Sequence, residues 1–256
     1  MNRRQFLGAS AAGLAALVSH DVPRVARPAR AAGESVGRRL AMPPLLDAAS
    51  GRLALTAQTG ASNFLGGAAT QTAGFNQSYL GPTIRLRNGA LATTIANRLP
   101  EPVTVHWHGL LIPGAFDGGP HNAVLPGGAW NFEMAIAQRP ATLWYHSHAH
   151  ARTAPHVYSG LAGMLLVADG RDDDRGLPSQ YGRDDLPVIV QDRRFDDAGR
   201  MVYSPSMTDI LNGFHGEKIL VNGQSGAVAV VPRGIVRLRL LNASNARFYT
   251  FNFDDG

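Results

Sequence analysis

The chain has 256 residues, of which 45% are apolar and 17% charged, a length and balance that exclude a disordered chain and suffice for one or two packed domains. Its formal charge of +5 comes mainly from residues 1–31, where Arg3, Arg4, Arg24, Arg27 and Arg30 stand against Asp21 alone; the rest is near neutral and offers no basic stripe for nucleic acid. There is no cysteine, which excludes disulfides and thiolate metal ligands within the chain.

Residues 1–31 read as a leader. Asn2-Arg3-Arg4-Gln5-Phe6-Leu7 is followed by an apolar run to Val18 and then by Ala29-Arg30-Ala31, a basic start, a short apolar core and a small-residue cleavage pattern. Paired arginines before Phe-Leu fit a twin-arginine export signal, which predicts a periplasmic protein. The apolar run is shorter than the roughly 20 residues that a membrane-spanning helix needs, so no membrane attachment is expected after export.

Ala41-Met42-Pro43-Pro44-Leu45-Leu46 reads as an extended lead-in. Alternating or β-rich runs follow at Arg52–Thr56, Thr83–Arg87, Leu91–Asn97, Val103–His108, Ala129–Ile136, Thr142–His148 and Ala162–Ala168, separated by turn signals such as Asn88-Gly89, Asp117-Gly118-Gly119-Pro120 and Pro126-Gly127-Gly128. Long helical periodicity is scarce, so the pattern predicts an all-β sandwich over 40–168. The polar stretch 169–185 reads as a linker. A second strand series at Leu186–Gln191, Lys218–Val221, Ile235–Leu241 and Phe248–Phe253 reads as an incomplete second domain over 186–256.

Two segments carry chemistry: Val105-His106-Trp107-His108-Gly109 and Trp144-Tyr145-His146-Ser147-His148. A strand has a side-chain period of two, so His106 and His108 share one face while Trp107 points to the other; the same holds for His146 and His148. If the strands neighbour each other, four imidazoles converge, and imidazole nitrogen suits copper, zinc, iron or nickel. A zinc hydrolase is disfavoured: His146-Ser147-His148-Ala149-His150 lacks an Asp before its third histidine, and no HExxH is present. A cupin is disfavoured by the lack of a following Glu. His121, His150, His156 and His215 read as loop or strand-end residues, Trp107 and Trp144 as packing walls, and the methionines are scattered.

His106-Trp107-His108-Gly109, Asp117-Gly118-Gly119-Pro120, Trp144-Tyr145-His146-Ser147-His148 and Gly160-Leu161-Ala162-Gly163-Met164 together resemble the first domain of multicopper oxidases. Met42-Pro43-Pro44-Leu45-Leu46 and Leu80-Gly81-Pro82-Thr83-Ile84 resemble it too, and Leu186–Asp192 and Arg237–Asn242 resemble the family's second domain. The nearest likeness is to the bacterial periplasmic branch that oxidises cuprous ion and phenols. The resemblance implies a cupredoxin-like Greek-key sandwich and copper as cofactor. It makes His106 a type 2 copper ligand, His108, His146 and His148 ligands of the type 3 pair, and Asp117 the acid that serves proton delivery; as a plain turn residue, Asp117 needs no such role.

The family's other four cluster histidines and its type 1 copper come from a C-terminal domain, so the resemblance implies a half-site here and no type 1 site. The expectation is therefore an oxidase coupling one-electron substrate oxidation to reduction of dioxygen to water, present as a truncated chain whose C-terminal half is missing. A natural half-molecule paired with another chain is the lesser reading. The alternatives from other classes are a copper-binding or copper-free periplasmic cupredoxin scaffold without oxidase activity, and a copper store; copper-free scaffolds of the structural or division-associated kind lose ligands, and the four histidines kept here speak against that reading.

Overall fold

The computed structural model describes residues 38–169, 171 and 175–253; the leader expected at 1–31 lies outside them. The strands are β1 (Leu45–Asp47), β2 (Arg52–Ser62), β3 (Thr70–Phe75), β4 (Thr83–Leu86), β5 (Gly89–Asn97), β6 (His106–His108), β7 (Ala129–Ile136), β8 (Ala141–His146), β9 (Ala162–Val167), β10 (Asp185–Phe195), β11 (Met201–Val202), β12 (Lys218–Val221) and β13 (Arg237–Asn242). Two short helices, α1 (Thr153–Ser159) and α2 (Met207–Asn212), and 3-10 turns at Gly114–Phe116 and Pro120–Asn122 join them.

One sheet has the order β3-β2-β5-β7 and the other β1-β4-β9-β8-β6; they form a cupredoxin-like β-sandwich. Strict alternation builds the first sheet's inner face: Leu53, Leu55 and Ala57 of β2 and Leu91, Thr93, Ile95 and Asn97 of β5 are buried between exposed or half-buried neighbours. Trp107, Tyr145, Phe75, Ile84 and Leu165 join them in one core. A third sheet is built on β10, which pairs antiparallel with β11 and β12 and parallel with β13.

All six residues of β9 are buried, because β9 has covered faces on both sides. Leu165 and Val167 belong to the sandwich core, while Ala162, Met164 and Leu166 pack with Tyr79, Val157 and Ile189 in a second cluster. A continuous apolar run is what such a doubly covered strand requires.

Several sequence expectations change. Within Val103–His108 only His106–His108 is strand; Val103 instead makes an isolated bridge to Val124. Phe248–Phe253 forms no strand; among the described residues no strand pairs with it, and Phe248 and Phe253 are largely exposed. Leu45–Asp47 is a strand, recruited by parallel pairing with β4. β3 was not anticipated: Thr-Gln-Thr-Ala-Gly-Phe is weakly apolar and is held by its six-residue ladder to β2.

His156, expected in a loop, sits in α1 and is buried. Gly160 ends the helix at φ +119, where a Cβ would press on the Ala73 carbonyl and the Tyr79 ring. Burial holds the His156 imidazole below its ordinary value of 6.5, against the upward pull of the Glu101 carboxylate. Below about pH 6.5 the unfolded chain takes up a proton that folded His156 resists, so this contribution to stability is present above that pH and lost as pH falls. Metal-free protein is predicted to lose thermal stability between pH 7 and 5, with a shallower loss in His156→Gln; equal slopes contradict this.

The third sheet is fastened by a buried ion pair. Arg239 of β13 makes two bonds to the Asp185 carboxylate of β10, at 2.6 and 2.7 Å, and one to Thr142 of β8 at 2.8 Å. Removing one partner of a buried pair typically costs about 3–5 kcal/mol. Arg239→Met is predicted to lower unfolding free energy by that order in urea titrations; a loss under about 1 kcal/mol shows that the pair does not fasten the sheet.

Candidate metal centre

β6 runs antiparallel to β8, with His106 opposite His146, Trp107 opposite Tyr145 and His108 opposite Trp144. Residues directly opposite in an antiparallel pair project to the same side. Trp107 and Tyr145 therefore enter the core together, both fully buried, and the histidines share the other face. The His106 ring centroid lies 5.4 Å from that of His108, 5.3 Å from His146 and 5.4 Å from His148; His146 and His148 are 5.9 Å apart. His148 lies just past the end of β8. Trp144 stacks on His146 at 4.0 Å and lies 5.2 Å from His108, walling the cluster.

His106, His108 and His146 each offer one ligating atom, all within 4.8 Å of one another; this is the one such group among the described residues. The fourth expected ligand, His148, is beside it, and its buried Nδ1 has no hydrogen-bond partner.

Backbone carbonyls set which nitrogens face the cluster. His106 Nδ1 lies 2.8 Å from the Asp117 carbonyl oxygen, and His146 Nδ1 lies 2.9 Å from that of Ser147. A carbonyl only accepts, so each Nδ1 carries the proton and each Nε2 keeps its lone pair. His108 Nδ1 stands 3.4 Å from His146 Nε2. Burial pushes the His146 imidazole down to about 4, with His106, His108 and His148 adding repulsion and the Ser147 bond opposing. Burial likewise lowers His108, aided by His106 and His148 and opposed by Asp117. Both rings are thus kept in the neutral form that a metal ion needs. Converging imidazole lone pairs, carbonyl-fixed tautomers and the unpartnered His148 nitrogen form a donor set that fits a borderline cation such as copper.

Asp117 reaches the cluster through a turn. Gly118 has φ +72, and a Cβ there would collide with the Val105 carbonyl; only glycine lets the turn pack so closely on the start of β6. The Asp117 carbonyl then accepts from Trp107 N–H at 3.4 Å as well as from His106, and its carboxylate lies 3.3 Å from His106 Nδ1. Asp117 is thereby placed as a holder of His106.

Among the described residues, the other histidines lie outside the cluster. His121 Nε2 bonds the Gly114 carbonyl, the His215 carbonyl accepts from Arg194, and His150 is exposed. His156 is different: its Nδ1 lies 2.8 Å from Ser147 Oγ, between two of the cluster's histidines in sequence. Sequence reasoning missed this contact, since a seven-residue helix without a capping side chain leaves little local signal.

A family model described as multicopper oxidase matches residues 56–172. The cell division protein FtsP of Rahnella sp. (strain Y9602) is 43% identical over 257 residues, and that of Yersinia pestis 43% identical over 258; each match takes in 100% of this chain and 52% of the relative. The chain thus spans about half the length of the curated relatives it matches. Among solved structures, a laccase-like multicopper oxidase, CueO, from Ochrobactrum sp. shares 45% identity at TM-score 0.77, over 81% of this chain and 47% of that one. McoA multicopper oxidase from Aquifex aeolicus shares 34% at TM-score 0.74, over 83% and 47%.

These relatives correct the functional expectation. The chain was expected to be an oxidase passing electrons from a small reductant to dioxygen. The full-span relatives are instead named for cell division. Over residues 56–172 the chain carries a multicopper oxidase domain, and its fold is the one found in bacterial multicopper oxidases.

Proposed function

We propose that the chain is a copper-binding cupredoxin scaffold of the bacterial envelope that serves cell division and does not turn over as an oxidase. The observation that carries this reading is the likeness, along the whole chain, to relatives named cell division protein. The leader pattern at residues 1–31 supports export to the periplasm by the twin-arginine route. In this reading dioxygen, cuprous ion and phenols are not substrates, and the sandwich acts as a rigid body.

His106, His108 and His146 would hold the copper, with His148 beside them; a bound ion there supplies Lewis acidity and a redox-capable centre. The chain's own residues fix the donors: Asp117 and Ser147 carbonyls orient two rings, and Trp144 limits solvent on one side. Binding N-state only, such an ion also stabilises the fold by mass action.

Purified protein dialysed against Cu(II) is predicted to retain copper, with at least about tenfold weaker binding in His106→Ala and His146→Ala. The same loaded protein is predicted to oxidise a phenolic dye no faster than free copper does. A tagged full-length protein is predicted to gather at the division site. Sustained dye oxidation with oxygen uptake contradicts the scaffold reading; a copper-free chain after loading contradicts the copper-binding part of it.

A further inference from the structure

The His146-Ser147-His148 segment is braced from its far side by groups that touch no ligand ring. The Ser147 carbonyl and the His148 N–H belong to one planar trans peptide, so they point in opposite directions. Thr104 Oγ1 accepts from the His148 N–H at 2.7 Å. With that end pinned, the carbonyl is directed at His146 Nδ1, 2.9 Å away.

Ser147 itself is anchored by its side chain. Its Oγ lies 2.8 Å from His156 Nδ1, and His156 Nε2 approaches Glu101 Oε1 at 3.3 Å. Glu101 is in turn clamped by Arg152 through bonds of 2.6 and 2.9 Å. His156 Nε2 makes no well-aligned hydrogen bond, but the carboxylate beside it only accepts and favours the proton on Nε2, which leaves Nδ1 to accept from the Ser147 hydroxyl. The order Ser, His, Glu is that of a hydrolytic triad. Ser147 is 0% exposed and His156 3%, however, so no substrate reaches the hydroxyl, and its use is to anchor the backbone. Thr104 is also fully buried, leaving its hydroxyl as the acceptor at hand for the His148 N–H.

We propose that Thr104 and His156 are positioning residues that lock the Ser147 peptide so that His146 keeps its proton on Nδ1 and presents Nε2 to the metal. The inference rests on the metal-binding reading for its purpose, but the lock exists in metal-free protein and is measurable there. It also explains why a histidine with no ligand role is buried in a short helix beside the site. Outer partners of this kind typically change metal affinity by 10–100-fold.

The experiment uses the whole chain with 15N-labelled histidine. In metal-free wild type, long-range 1H–15N correlation is expected to show His146 as a single Nδ1–H tautomer. Thr104→Val and His156→Leu are each expected to give a tautomer mixture and roughly tenfold weaker Cu(II) binding. Thr104→Ser and His156→Asn, which restore an acceptor at each end, are expected to recover the wild-type pattern. Should Thr104→Val fail to fold, the His156→Leu and His156→Asn pair decides alone. A pure Nδ1–H tautomer in the folded Leu and Val variants overturns the lock. Wild type that binds no copper sinks the metal reading separately, while the tautomer comparison still decides the brace.

Discussion

The pairing of His106 with His146 across β6 and β8 is the constraint on which the site depends. Register in a sheet is unforgiving, since a slip by one residue sends every side chain to the other face. A slipped β6 exposes Trp107 and turns the histidines into the core. Truncating a buried Trp typically costs about 3–5 kcal/mol, so the core fixes the register strongly. The aromatic residues between the histidines are thus as necessary to the cluster as the histidines, because they decide which way the imidazoles face.

The second level of control lies in the backbone. Two carbonyls, those of Asp117 and Ser147, choose the nitrogens that face the cluster. The first depends on Gly118 allowing the turn to lie against Val105; the second depends on a peptide held by Thr104 and flanked by the His156 anchor. Burial keeps His146 and His108 neutral. A family donor set can thus be kept intact while the chain's relatives are named for a different task, because the supports of the site are also supports of the sandwich.

Much of this was legible in the sequence. Period-two alternation located β2, β5 and β7, and the two histidine pairs with their aromatic neighbours announced a shared face. What was not legible came from tertiary pairing. β3 lacks an apolar pattern and exists by its ladder to β2; Leu45–Asp47 looks like a tail until β4 recruits it. His156 carried no local sign of its partner, since its contact with Ser147 depends on how α1 folds back beside β8. The functional expectation erred for another reason: ligand residues report what a site can bind, not the task that the whole protein serves.

The most direct measurement of the central claim is X-ray absorption and pulsed electron paramagnetic resonance on the Cu(II)-loaded chain. The account predicts a copper ion bound by at least three imidazole nitrogens, with the count falling in His106→Ala and His146→Ala alike. Copper held by one imidazole or none, or a spectrum unchanged by both substitutions, contradicts it.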